Sequence, residues 1–109
     1  MIIIRNNVIP FRGFSAMTLW PFVFVRRDAR FTATTEHHEC IHGEQQKEML
    51  VLPFLLWYGI EYVVRLAQYR NRDQAYRNIS FEREAYGNER DEDYLPSRRR
   101  FAWLHYMKP

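Results

Sequence analysis

Cysteine occurs once in these 109 residues, at Cys40, so the chain can form no internal disulfide, no cysteine-based zinc finger and no dithiol redox pair. That fits a reducing compartment. Glycine and proline are sparse, four and five residues, and there are no repeats, linkers or low-complexity tracts, which leaves one domain over residues 1–109. No apolar run reaches the ~20 residues that a membrane-spanning helix needs. The longest, Met49 to Val64, has 16 residues, is interrupted by Pro53, Gly59 and Glu61, and stops at Arg65. It reads as a core helix whose face carries Phe54, Leu55, Trp57, Tyr58 and Val63, with a helix lying on a membrane as the alternative. Glu61 and Arg65 can satisfy each other at i,i+4, a pair worth at most ~1 kcal/mol if exposed.

Neither sign of charge dominates. Sixteen Lys and Arg against 13 Asp and Glu give a net charge of +3, which admits an anionic membrane surface or nucleic acid without requiring either; no nucleic-acid partner is expected. Ile2, Ile3 and Ile4 precede Arg5, Asn6 and Asn7, too short an apolar run for a secretory signal and without its basic leader. An unprocessed, cytoplasmic chain is the expectation, with a peripheral membrane location as the alternative. What the sequence has in plenty is aromatic residues, 17% of the chain, which give a small domain large side chains to bury.

Along the chain, the β-branched residues up to about Arg30, punctuated by Pro10, Gly13 and Pro21, predict two or three short strands. Thr32 before Glu36 predicts a capped helix running to about Leu52, and Pro53 opens or kinks a second reaching about Tyr69. The polar run Arg70 to Arg77 reads as a connection. Asn78 or Ser80 is the expected cap of a third helix reaching about Asp93, ended by Pro96, before a solvated basic and aromatic tail containing Arg98, Arg99, Arg100, Phe101 and Trp103. The predicted class is α+β: a small amino-terminal sheet or hairpin followed by about three helices.

His38, Glu39, Cys40, Ile41 and His42 spell His-Glu-x-x-His. Residues four apart stack on one helix face, so both imidazoles can reach one zinc ion, and the glutamate beside them can act as general base on a metal-activated water. His38, His42, Gln45 and Met49 share one face bordered by Ile41 and Leu52, which turns the histidines inward, where paired imidazoles without a metal are costly to desolvate. Cys40 points away, and His37 has Ile41 at i+4, so it cannot form the same clip. A third ligand must come from Glu61, Glu82, Glu84 or Glu89. Ile79, Phe81, Ala85 and Tyr86 define a face centred near Glu82 and Glu89, whereas Glu84 lies nearly opposite and is set aside. Glu61, with Arg65 at i+4, has an ordinary partner, and both Glu82 and Glu89 stay open.

With His38, Glu39, His42 and Gln45 in one helix and Asn78, Glu82 and Ala85 in a later one, the chain resembles, over nearly its whole length, a family of small bacterial gluzincin-type proteins. The family pattern is His-Glu-x-x-His-x-x-Gln followed by Asn-x-x-x-Glu-x-x-Ala. The resemblance implies a minimal zincin-like core, a zinc site of His38, His42 and Glu82, and Glu39 as general base. Many gluzincins carry an aspartate four residues after the glutamate ligand to orient a histidine, and Tyr86 stands there instead. Asn88, Glu89 and Asp93 also mimic an Asn-Glu-x-x-x-Asp pattern, which keeps Glu89 as the alternative ligand. Tyr76, Tyr86 and His105 are candidates to stabilise an oxyanion, and Gln45 to support a ligand. The stretch Leu19 to Arg27 resembles the cleft-bordering strand of zinc peptidases, so an extended substrate is expected to pair with it around Phe22 to Val25.

The expected activity is therefore zinc-dependent hydrolysis of a peptide or protein substrate. Few loops remain to wall a cleft, so activity should be weak and broadly specific or should depend on a homo-oligomer or protein partner. The alternative is a non-catalytic zinc-binding or partner-binding module, associated or not with a membrane surface.

Overall fold

The computed structural model of the protein describes residues 1–8 and 14–108; the expected punctuation at Pro10 and Gly13 lies outside them. The class is α+β. Three strands form one sheet, β1 (Ile2–Asn6), β2 (Ala16–Leu19) and β3 (Phe22–Arg26), in the order β1-β3-β2. β1 runs parallel to β3, with Ile3 opposite Val23 and Arg5 opposite Val25. β2 folds back antiparallel, with Met17 opposite Phe24 and Thr18 opposite Val23. β3 is thus the central strand with both edges occupied, and the expected pairing of a substrate with Phe22 to Val25 is corrected. Sequence places two β-branched runs side by side but does not say which one is enclosed.

Five helices follow, not three: α1 (Ala33–Met49), α2 (Val51–Tyr69), α3 (Arg72–Arg77), α4 (Ser80–Asn88) and α5 (Tyr94–Ser97), then a 3₁₀ turn, Ala102–Tyr106. Thr32 caps α1 as its sequence predicts, its Oγ1 accepting from the Thr35 amide at 3.2 Å. α1 ends three residues early. Leu50 adopts φ 66°, a conformation costly for a residue with a Cβ, and the axis turns by 111° into α2. α1 packs on β2, and Gly43 makes room: a Cβ there would lie 2.9 Å from the Met1 sulfur and 3.6 Å from the Trp20 ring.

The stretch expected as a connection is mostly helix. The Asn71 side chain accepts from the Gln74 amide at 3.0 Å and starts α3, an N-cap signal that the surrounding polar residues obscure. Neither Asn78 nor Ser80 caps α4. Ile79 occupies the cap position, and the Glu61 carboxylate reaches across from α2, accepting from the Ser80 amide at 2.7 Å and the Ser80 hydroxyl at 2.6 Å. α4 stops at Asn88, and Pro96 lies inside α5 rather than ending α4.

Phe54, Ile79, Phe81 and Trp103 form the core, with Met49, Tyr58 and Tyr62 packed against it. The tail is solvated at Arg99, Arg100 and Phe101 but structural at Arg98 and Trp103: the Trp103 ring lies 4.8 Å from that of Phe81, and the Arg98 guanidinium is buried between Glu48 and Glu84. α2 departs furthest from expectation. Phe54 faces inward, but so do Glu61 and Arg65, while Leu52, Leu55, Leu56, Ile60 and Val63 are exposed. Among the described residues no single helix is long and apolar enough to cross a membrane.

Candidate metal centre

α1 supplies His38 and His42, and α4 crosses it to supply Glu82. Four residues of helix put the two rings 4.8 Å apart, edge to face, with their Nε2 atoms 3.2 Å from each other. Glu82 Oε1 lies 3.0 Å from each Nε2. All three residues are buried, Glu82 to 3% exposure.

The other atom of each ring is committed. Gln45 donates its amide hydrogens to the Phe81 carbonyl at 3.1 Å and to Glu84 Oε1 at 3.0 Å, so its own oxygen is the acceptor facing His42 Nδ1 at 2.8 Å. Glu89 Oε2 accepts from His38 Nδ1 at 2.8 Å. Both histidines then carry the Nδ1 proton and turn Nε2 toward Glu82. Glu89, the alternative ligand of the sequence reading, sits on the far nitrogen of His38, where a carboxylate fixes the tautomer. Tyr86 itself lays its ring 4.5 Å from that of His38.

Three electron-rich atoms this close need a cation between them. Burial alone would depress the pKa of His42, but the charge and hydrogen bond of Glu82 outweigh it and raise it to about 10. Burial likewise opposes the Glu82 charge, and the two histidines overcome it, holding its carboxyl well below the usual carboxylate range. In the absence of metal a proton fills this role. A metal ion fits as well: separations of 3.0 to 3.2 Å approach the ~3.3 Å between ligands of a tetrahedral ion bound at ~2.0 Å. Two imidazoles and one carboxylate form the three-ligand donor set of zinc sites that keep a fourth position open.

Glu39, next to His38 on α1, is buried against the sheet. The Thr18 hydroxyl donates to its Oε1 at 2.7 Å, and its charge helps raise the pKa of His42. Tyr58, which the sequence places only on the apolar face of α2, donates to Glu82 Oε2 at 2.6 Å. Burial and then the Glu82 charge push its phenol far up, so it stays a donor. The signal available in the sequence was a phenol on a buried face, which needs a polar partner. Tyr76 and Tyr86 both reach this region, their hydroxyls 3.5 Å apart, and burial followed by the Glu82 charge raises the pKa of Tyr76. His105 does not: it is exposed on the 3₁₀ turn and hydrogen-bonds none of these residues.

Glu84 is not one of the three converging residues, yet it is fully buried, bound by Gln45, by the Tyr94 hydroxyl at 2.6 Å and by Arg98. Gln46 went unnoticed in the sequence. Its amide nitrogen donates to the Thr18 carbonyl at 2.7 Å and its oxygen accepts from the Trp20 amide at 2.6 Å, occupying part of the outer edge of β2. No family model, curated protein or solved structure matches the chain.

Proposed function

We propose that the protein is a zinc-dependent peptidase. The observation that supports this most is the convergence of His38 Nε2, His42 Nε2 and Glu82 Oε1, with both tautomers set by Gln45 and Glu89, beside a carboxylate that is not a ligand. His38, His42 and Glu82 would hold the ion. Zinc bound there would supply Lewis acidity, polarising a scissile carbonyl and easing loss of a proton from water. Glu39 Oε1 or Oε2 takes that proton and returns it to the amide nitrogen as the C–N bond breaks, so water adds across the bond and Glu39 ends unchanged. The Thr18 hydroxyl orients Glu39 and anchors α1 to β2, one of the two edge strands of the sheet and the one an extended substrate would join. Tyr76 is a phenol held protonated that accepts from Tyr86 and is able to donate to a developing oxyanion, whereas Tyr58 spends its hydrogen on Glu82.

One observation favours a second reading, a zinc module without catalysis: His38, His42 and Glu82 are all buried, while a cavity of about 280 Å³ lies away from them, between α2 and the carboxy-terminal turn. Digestion of a peptide library by zinc-loaded protein, with Glu39→Gln as control, separates the two. Cleavage that needs Glu39 while the variant keeps its zinc is the expected result. An intact library, together with cobalt-loaded protein whose visible spectrum ignores a hydroxamate, would establish the module instead.

A further inference from the structure

α2 is built inside out. Its two charged residues face the protein interior, Glu61 at 7% and Arg65 at 3% exposure, where Glu61 holds the start of α4 and Arg65 donates to the carbonyls of Met107 and Lys108. Leu52, Leu56, Gly59, Ile60 and Val63 fall instead within a stripe about 100° wide on the outer side, at ~100° per residue, with no charged group among them. Leu52 is 77%, Leu56 68% and Val63 64% exposed. Single exposed apolar side chains need no explanation, but an unbroken stripe of this length marks a contact surface. The surface continues past the helix, because Met107 joins Trp57, Ile60 and Val64 around the cavity and Leu104 is exposed on the neighbouring turn.

Charge indicates what covers it. From Arg98 to Lys108 there is no acidic residue, and Arg99, Arg100 and Lys108 are exposed on either side of the turn that meets α2. At the far end of α2, Arg70 and Arg72 are exposed, and α3 carries Arg77, which lies over the Tyr86 ring at 4.3 Å, beside the one acidic residue of that helix, Asp73. On α1, exposed Glu44 and Lys47 pair with each other at 3.3 Å and cancel. An apolar stripe with exposed cations toward both ends of its helix complements the interface of an anionic bilayer, where aliphatic side chains enter the acyl boundary and cations meet the headgroups. A protein partner or a second copy is the poorer match: interface anchors such as Trp, Tyr and Arg sit at the centre of a contact, whereas the centre of this stripe is aliphatic and glycine, with Trp57 and the arginines at its margins.

We propose that the protein docks peripherally on anionic lipid surfaces through the outer face of α2, lying parallel to the membrane with the carboxy-terminal turn beside it. The proposal is independent of the zinc site. It is tested by flotation of the full chain with vesicles of phosphatidylcholine alone or mixed with phosphatidylglycerol. The expected result is flotation with the mixed vesicles, a partition constant lowered roughly tenfold or more in Leu56→Gln/Ile60→Gln/Val63→Gln, and a loss of roughly fivefold per cation in Arg99→Ser/Arg100→Ser that shrinks as salt rises. Because three substitutions can disturb folding, Val63→Trp gives an independent reading: the fluorescence of the added indole should be quenched by brominated acyl chains. Absence of flotation, equal binding to neutral vesicles, or added indole fluorescence that brominated chains leave unquenched overturns the proposal. So does a parent protein that ignores vesicles but sediments as a dimer lost in the triple variant, which would make a second copy the occupant.

Discussion

His42 holds its proton on Nδ1 because Gln45 has spent both amide hydrogens on Phe81 and Glu84 and can only accept. Glu89 imposes the same state on His38 through a charged acceptor, so one site is oriented by a neutral amide and a carboxylate, each tied to a different part of α4. Direct and supporting carboxylates should separate by affinity. Glu82→Gln removes a donor atom and is expected to abolish stoichiometric zinc binding, whereas Glu89→Gln should weaken zinc by ~10–100-fold and leave one ion per chain. Competition against a chromophoric chelator reads both. If Glu89→Gln empties the site while Glu82→Gln retains it, the assignment of roles is inverted. Glu39→Gln should keep zinc at parental affinity, since Glu39 hydrogen-bonds Thr18 and not the ligand triangle.

α2 shows how an element can be correctly delimited and yet turned the wrong way. Its residue periodicity allows two faces, one apolar and one carrying Glu61 and Arg65, and ordinary partition would bury the first. The second is buried because α4 begins beside it: Glu61 satisfies the Ser80 amide and hydroxyl and accepts from Trp57 Nε1 at 3.2 Å, three donors in addition to Arg65 at 3.9 Å. Removing that carboxylate leaves an uncapped helix and an uncompensated buried guanidinium. Glu61→Ala is therefore expected to destabilise the fold by ~3–5 kcal/mol in urea titrations, not by the ~1 kcal/mol of an exposed pair; a loss below ~1 kcal/mol would show that the pair is solvated. What was legible at this scale had local causes: the Thr32 cap, the long helical segments and the inward face of α1. The α3 helix was hidden by its polar composition. The enclosure of β3 and the roles of Tyr58 and Glu89 depend on partners 24 and 51 residues distant for the side chains and on strand order for β3, and no window of sequence contains those.

At the scale of the whole molecule, α1 is the shared wall of sheet and helices. Thr18 and Gln46 tie it to β2, Gln45 and the ligand triangle tie it to α4, and Glu48 ties it through Arg98 to the carboxy-terminal segment. The charge state of the cluster should therefore appear in global stability. His42 has a folded pKa of about 10 against an ordinary 6.5, so without metal its contribution is complete below about pH 6.5 and is lost as pH rises toward 10. The folded pKa of Glu82 is depressed from 4.5, so its contribution is present above that value and is lost as pH falls through the folded value. Metal-free protein should be most favoured by this cluster between those two ordinary values, and should weaken from neutral to alkaline pH by at most about 1.4 kcal/mol per pH unit for the one proton involved. Zinc should reverse the slope. The ion competes with the proton on Nε2, so the stabilisation gained on adding it grows with pH over the window in which the metal-free protein weakens. Urea titrations of chelator-treated and zinc-loaded protein across that window measure both trends. A metal-free protein whose stability is flat or rises between neutral pH and pH ~9.5 would mean that no proton is shared among His38, His42 and Glu82. A zinc increment independent of pH would mean that the ion is held by other groups.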